Sequence, residues 1–215
     1  YFYECLSNTI KGKWFFVNAL HVNFLGARFC PGLIILLPYV YFFRSAEAFF
    51  LMNSVVLFSG GIIMYTIGRK LKFSSIESML LSMLYFLTPG ILNMNLSNYY
   101  SFHEIYLVLP VILLAYYFYV SKKLVWALIF FLFSLTFKET VPVLWVGVGA
   151  VALCRRRYKL GVLLIVVSLS YFCGVQKIIT PWLREGQGFA SMYRYHHLGD
   201  DFVSIALSPV MRPTA

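Results

Sequence analysis

Three short polar stretches interrupt an otherwise apolar chain, and each carries residues able to do proton or phosphate chemistry. Ser97-Asn98-Tyr99-Tyr100-Ser101-Phe102-His103-Glu104 puts an imidazole beside a carboxylate where a loop enters a helix. An acid is favoured there by the helix dipole. The pair could serve as a general base, or could ligate a divalent ion that holds a pyrophosphate. Phe137-Lys138-Glu139-Thr140 sets an ammonium and a carboxylate between strongly apolar flanks, where ionisable groups are costly and tend to be functional. Lys138 would face an anionic headgroup, with Glu139 orienting it or binding metal. The stretch from His21 to Gly32 carries His21 and Arg28 into a Pro31-Gly32 break and could form the rim of a site. Each stretch also has a purely structural reading: a first-turn acid with an interfacial His, an ion pair in a tight turn, and an interfacial loop.

Other polar residues fall after the last apolar run: Gln176-Lys177, Arg184, Tyr193-Arg194-Tyr195, His196-His197 and Asp200-Asp201. Neighbouring histidines do not share a helix face, and HExxH is absent. Gly186-Gln187-Gly188 follows no strand pattern, so it reads as a flexible loop rather than a phosphate-binding fingerprint. No Ser-His-Asp set, Walker motif or zinc-ligand spacing occurs. Cys5, Cys30, Cys154 and Cys173 share no metal spacing, and a Cys5–Cys30 disulfide is the one pairing worth testing.

The elements that must position these residues follow from composition. The 215 residues are 60% hydrophobic and only 12% charged, against roughly 25% charged in soluble domains; the mean hydropathy is +0.77. A net charge of +10 would suggest nucleic acid in a soluble protein. Here half of the 18 basic residues lie in three clusters, Arg69-Lys70-Leu71-Lys72, Lys122-Lys123 and Arg155-Arg156-Arg157-Tyr158-Lys159. That pattern is membrane topology, and nucleic acid is not an expected partner. In lipid only helices or closed barrels satisfy the backbone, and the apolar runs are too long and too uniform for barrel strands.

Six spans are expected: Glu47 to Ile67, Ile76 to Leu92, Glu104 to Val120, Leu124 to Phe137, Thr140 to Leu153 and Leu160 to Thr180. The fourth and fifth are short and could extend into their polar connections. Residues 1–45 read as an outer-face loop with amphipathic helices. Within it, Cys30 to Phe43 is broken by Pro31, Gly32 and Pro38 and is interfacial or re-entrant rather than spanning. Residues 46–180 form the transmembrane core, and 181–215 an outer-face tail. The basic clusters follow the first, third and fifth spans, so the positive-inside rule makes them cytoplasmic and places His21, His103, Glu104, Lys138, Glu139, His196 and His197 on the outer face. Tyr1 is not a start residue and no signal peptide precedes the apolar runs, so the chain is expected to begin inside a larger protein and to be truncated at both ends.

The order of these motifs resembles a family of predicted membrane proteins known as domain of unknown function 2079. The resemblance rests on Lys11-Gly12-Lys13-Trp14, His21 to Pro31, Leu36-Leu37-Pro38-Tyr39, the span ending in Arg69-Lys70, Phe102-His103-Glu104, Lys138-Glu139, Ile178-Ile179-Thr180-Pro181 and Tyr193 to Gly199, and covers roughly residues 1–209. That family is in turn similar to the GT-C superfamily of polytopic glycosyltransferases. The resemblance implies an all-α, polytopic helical bundle in the bacterial inner membrane, with surface helices on the outer face. It implies sugar transfer there from a polyprenyl-phosphate donor. Glu104 and His103 would be catalytic, and Lys138, Arg28 and Lys177 would bind phosphate. His103 and Glu139 would hold a divalent cation, Mg or Mn. Membrane lipids and other membrane subunits are the expected further partners. Two departures stand out. The carboxylate that GT-C enzymes carry in the first outer loop would fall before Tyr1, so either Glu104 or an upstream Asp would be the base. Glu104 also follows His103 directly, without the family's intervening residue. A non-catalytic membrane subunit and a lipid-anion transporter or flippase are the rival readings; the transporter predicts charges at mid-membrane and paired broken helices.

Overall fold

The computed structural model describes residues 1–96 and 102–184, together with Ser208. The tail motifs from Gly186 to Asp201 and the stretch 97–101 lie outside the described residues. The N-terminal part is a chain of short elements: α1 (Phe2–Ile10), β1 (Phe16–Val17), a 3-10 turn (Asn18–Leu20), β2 (Val22–Asn23), α2 (Phe24–Ala27), a second 3-10 turn (Pro31–Leu36) and α3 (Leu37–Phe43). The two-residue strands pair antiparallel, Phe16 with Asn23 and Val17 with Val22. This hairpin was not expected from the sequence; apart from it the described residues are helical or connecting. The 3-10 turn and α3 together hold only 13 residues from Pro31 to Phe43, too few to cross a hydrocarbon layer that asks for about 20.

The core helices are α4 (Ala48–Lys70), α5 (Ser75–Leu87), α6 (Pro89–Leu96), α7 (Ile105–Val120), α8 (Leu124–Leu135), α9 (Val141–Cys154) and α10 (Tyr158–Gly174), which runs through a π-turn (Val175–Ile179) into α11 (Thr180–Leu183). Each expected span has its helical counterpart, with two differences. The second is broken at Thr88, because Pro89 cannot continue α5 and instead opens α6. The fourth and fifth do not extend into their connection: α8 stops at Leu135 and α9 starts at Val141.

Ala48–Lys70 and the continuous Tyr158–Leu183 are long and apolar enough to cross a membrane. Their surfaces suit lipid. On α4, Phe50, Leu51, Val55, Phe58 and Ile62 are exposed while Asn53 and Gly60 are buried. Ser78, Ser134 and Ser168 on the other helices are fully buried. Apolar residues outside and small polar ones between helices reverse the pattern of a soluble amphipathic helix and match membrane bundles. Several polar side chains bond across or along the helices: Tyr85 Oη donates to Leu57 O at 3.1 Å, Ser82 Oγ to Gly61 O at 2.8 Å, and Trp145 Nε1 to Ser134 Oγ at 2.8 Å.

All three basic clusters form the same turn. Lys72, Lys122 and Arg156 adopt the left-handed conformation. In each turn the next amide reaches back five residues, Phe73 N to Gly68 O, Lys123 N to Phe118 O and Arg157 N to Ala152 O. This is the Schellman ending of a helix, normally given to glycine. A hydrogen bond from Arg157 to the Tyr119 hydroxyl ties two of these turns together, so the basic clusters of α7 and α9 lie at one end of the bundle.

α9 and α10 approach most closely through glycine. A Cβ on Gly161 would stand 2.8 Å from Gly149 O, and one on Gly149 would stand 3.0 Å from Gly161 O. Backbone cannot yield as a side chain can. Gly161→Val is therefore expected to lower the thermal midpoint in detergent, at a cost of about 1–3 kcal/mol. Gly147→Val, on the facing helix α9 with open space beside it, should leave the midpoint unchanged; equal losses in both variants would refute the close approach.

Candidate functional site

The depth of the Thr136–Thr140 connection follows from helix length. α8 has 12 residues and α9 has 14, so they are about 18 and 21 Å long. α8 starts from a basic turn and α9 ends at one. Set across a hydrocarbon layer of about 30 Å, helices of this length would leave their shared turn roughly 10 Å short of the opposite boundary. Non-helical backbone at that depth is tolerated only where protein covers it. The N-terminal segment does so. Gly32 N donates to Thr136 O at 2.9 Å, and a Cβ on Gly32 would lie 2.5 Å from Thr136 Oγ1. Phe137 is buried beneath this contact.

Glu104 lies at the centre of the covered region. It caps α7 and is fully buried. Its Oε1 is 3.4 Å from Arg28 Nη1 and 3.4 Å from Lys138 Nζ, and its Oε2 is 2.9 Å from His103 Nδ1. Arg28 Nη1 also lies 3.1 Å from His103 Nε2. A guanidinium can only donate, so this contact requires the lone pair at Nε2 and places the ring proton at Nδ1, toward Glu104. Arg28 comes from the end of α2, His103 and Glu104 from the start of α7, and Lys138 from the α8–α9 turn. Aromatic rings wall the cluster: Phe2 makes edge contacts with Phe24 at 5.2 Å and Phe102 at 5.4 Å, and Phe102 with Phe49 at 4.9 Å. Arg28 is the most open member of the cluster, its side chain 37% exposed against 19% for Lys138.

The two carboxyls are driven apart in proton affinity. Burial raises that of Glu104, but the hydrogen bond from His103 and the Lys138 ammonium outweigh it and hold the carboxyl below its ordinary range. Burial dominates at Glu139 and pushes it up, with its own amide and Lys138 opposing and the Glu104 charge adding. Glu139 Oε2 is buried without a hydrogen-bond partner among the described residues, as is the hydroxyl of Tyr171, which lies in electrostatic range of Glu139 and Cys30. Two cations, Arg28 and Lys138, therefore pair with the one carboxylate of Glu104.

Of the residues singled out in the sequence, His103, Glu104, Lys138 and Arg28 therefore converge, and Glu139 lies beside them. His21 and Lys177 do not join them. His21 is exposed at the left-handed turn after the first 3-10 element, and Lys177 is exposed on the π-turn. Cys5 and Cys30 are buried free thiols rather than a disulfide. Gly32 was read only as part of the break that ends the rim stretch, and Tyr171 was not anticipated as part of the site. A tyrosine hydroxyl inside a long apolar run, needing a polar partner, is the signal that could have drawn attention to Tyr171. A divalent cation does not fit what is assembled here. Among the described residues no three His, Cys, Asp or Glu side chains come together, Glu104 is spent on three partners, and Arg28 and Lys138 would repel a cation.

The whole chain, residues 1–215, matches the family described as Predicted membrane protein (DUF2079), and it belongs to that family. No curated protein and no solved structure shows a significant match.

The opposed carboxyls give a pH signature. An acid whose affinity is lowered on folding adds stability above its unfolded value, and that stability is lost as pH falls through the folded value; a raised acid costs stability as pH rises. Glu104→Gln is expected to lower the thermal midpoint at neutral pH, by the ~3–5 kcal/mol typical of breaking a buried pair. The deficit should shrink as the pH is taken below about 4. Glu139→Gln should instead raise the midpoint at neutral pH and flatten its decline above about pH 4.5. Thermal unfolding across pH in detergent reads both, and a Glu139→Gln protein less stable than wild type at neutral pH would refute the assignment.

Proposed function

We propose that this membrane protein binds a lipid-linked phosphate at the Glu104 cluster, and that its reaction is sugar transfer from a polyprenyl-phosphate donor. The observation that carries the reading is the convergence of Arg28 and Lys138, from distant parts of the chain, on one buried carboxylate. Charged donors that outnumber their acceptors suit a phosphate. A recessed position under a protein cover suits a lipid headgroup better than a solute. In this reading Arg28 and Lys138 bind the phosphate and stabilise the charge it gains on leaving. Glu104 holds both cations in place and takes the acceptor's proton once substrate draws a cation away, while His103 fixes the carboxylate's orientation. The basic turns face the cytoplasm of the inner membrane, and the cluster opens to the outer face.

One observation favours a second reading, a non-catalytic membrane subunit. Glu104 has no exposed surface and is met by three partners, as a structural clasp would be. The full-length protein in nanodiscs separates the two. Arg28→Ala and Lys138→Ala should each weaken binding of a polyprenyl-phosphate hexose by about 10- to 100-fold, the equivalent of losing one charge-assisted hydrogen bond. Glu104→Gln should abolish transfer of the sugar. Lys177→Ala should change neither. Unchanged binding in both cation variants, with only thermal stability reduced, would leave the clasp as the correct reading.

A further inference from the structure

A second feature lies near the opposite end of the bundle. A groove of about 200 Å³ runs between α4 and α5, lined by Phe58, Ile62, Tyr65, Met79, Ser82 and Phe86. On α4 the lining residues follow at helical spacing, and the next position on the same stripe is Arg69, at the start of a basic turn. Ser82 Oγ, bonded to Gly61 O at 2.8 Å, ties the two helices beneath the groove. The stacked rings of Phe58 and Phe86, 5.8 Å apart, stand at its inner end. Its outer end leads to Arg69, Lys70 and Lys72, all exposed. Arg69 Nη1 donates to Phe73 O at 2.9 Å, which leaves its remaining donors available. The nearby acid, Glu77, is committed to the α5 capping box with Ser74, so the turn is left positive.

We propose that this groove holds one hydrocarbon tail of an anionic phospholipid whose phosphate rests on Arg69 and Lys72. Two features select that occupant. The volume falls below the roughly 300–1,000 Å³ of drug-sized ligand sites, and a helix with its side chains is about 10–12 Å across, so a single chain fits where a partner helix does not. The charge at the mouth is complementary to a phosphate, and juxtamembrane Lys and Arg are drawn to anionic lipid. Unlike the Glu104 cluster, this site involves no acid–base chemistry, and it stands or falls independently of the function proposed above.

Native mass spectrometry of the purified protein, titrated with phosphatidylglycerol or phosphatidylcholine, tests it. The wild type should retain one phosphatidylglycerol in preference to phosphatidylcholine. Arg69→Gln with Lys72→Gln should weaken that retention about 25-fold, at roughly fivefold per charge. Lys122→Gln with Lys123→Gln removes an equal charge from a basic turn and should leave it unchanged. Ile62→Trp, which fills the groove while leaving every charge in place, should weaken retention as well; Met79→Phe serves the same purpose if the tryptophan variant does not fold. Equal losses in both charge pairs would reduce the effect to diffuse attraction and overturn the site. Full retention in the filled groove would overturn the tail's position, and a cross-link between copies through Met79→Cys would give the groove to a protein partner instead.

Discussion

The structure depends on how one buried carboxylate is compensated. Glu104 has no exposed surface, and an isolated ion in such a place would cost far more than folding can supply. Its compensation comes from three separate parts of the chain: Arg28 before the Pro31 break, His103 at the mouth of α7, and Lys138 in the α8–α9 turn. Each of these segments is poorly anchored alone. α2 is a single turn, and the connection from Thr136 to Thr140 has no regular structure. The ion cluster fixes them relative to one another, and removing any member leaves the others uncompensated.

Helix length makes this arrangement necessary. α8 and α9 are too short to cross a hydrocarbon layer, so in a bilayer their turn would end below its surface, with peptide groups that lipid cannot satisfy. The N-terminal elements act as the cover, and Gly32 is the point of closest contact, where its amide bonds Thr136 and its missing side chain lets the backbones meet. The same geometry creates a recess with cations in its wall, reached past Arg28. Structural need and chemical opportunity coincide there: the residues that make the short helices tolerable are also those that could recognise an anionic headgroup. Glu139 Oε2 and the Tyr171 hydroxyl, both buried without a hydrogen-bond partner among the described residues, extend the polar region inward.

Much of this was legible in the sequence, for identifiable reasons. Charges inside apolar runs are conspicuous, so His103-Glu104 and Lys138-Glu139 stood out as the places to look, and the basic clusters marked the helix ends that the Arg157–Tyr119 contact brings together. Pairing was not legible. Nothing local ties Arg28 to a carboxylate 76 positions away, and the contact depends on how the cover folds back. Lys177 looked equally suitable at the end of an apolar run, but that run is apolar on all sides, so the sequence does not say which face turns inward; the π-turn carries Lys177 outward. The hairpin around His21 escaped notice because its strands are two residues long and its left-handed position is filled by histidine rather than glycine. The break at Thr88–Pro89 was passed over because apolar residues continue on both sides of it.

The most direct test of the ion cluster is a double-mutant cycle between Arg28 and Glu104, read by thermal or denaturant unfolding in detergent, with Arg28→Met and Glu104→Gln made singly and together. If Glu104 holds the N-terminal cover through Arg28, the two losses overlap and the double variant is more stable than their sum predicts, by a coupling of about 1–3 kcal/mol. Additive losses would show that the cover is held by its apolar contacts alone, and that the buried carboxylate does not organise this end of the protein.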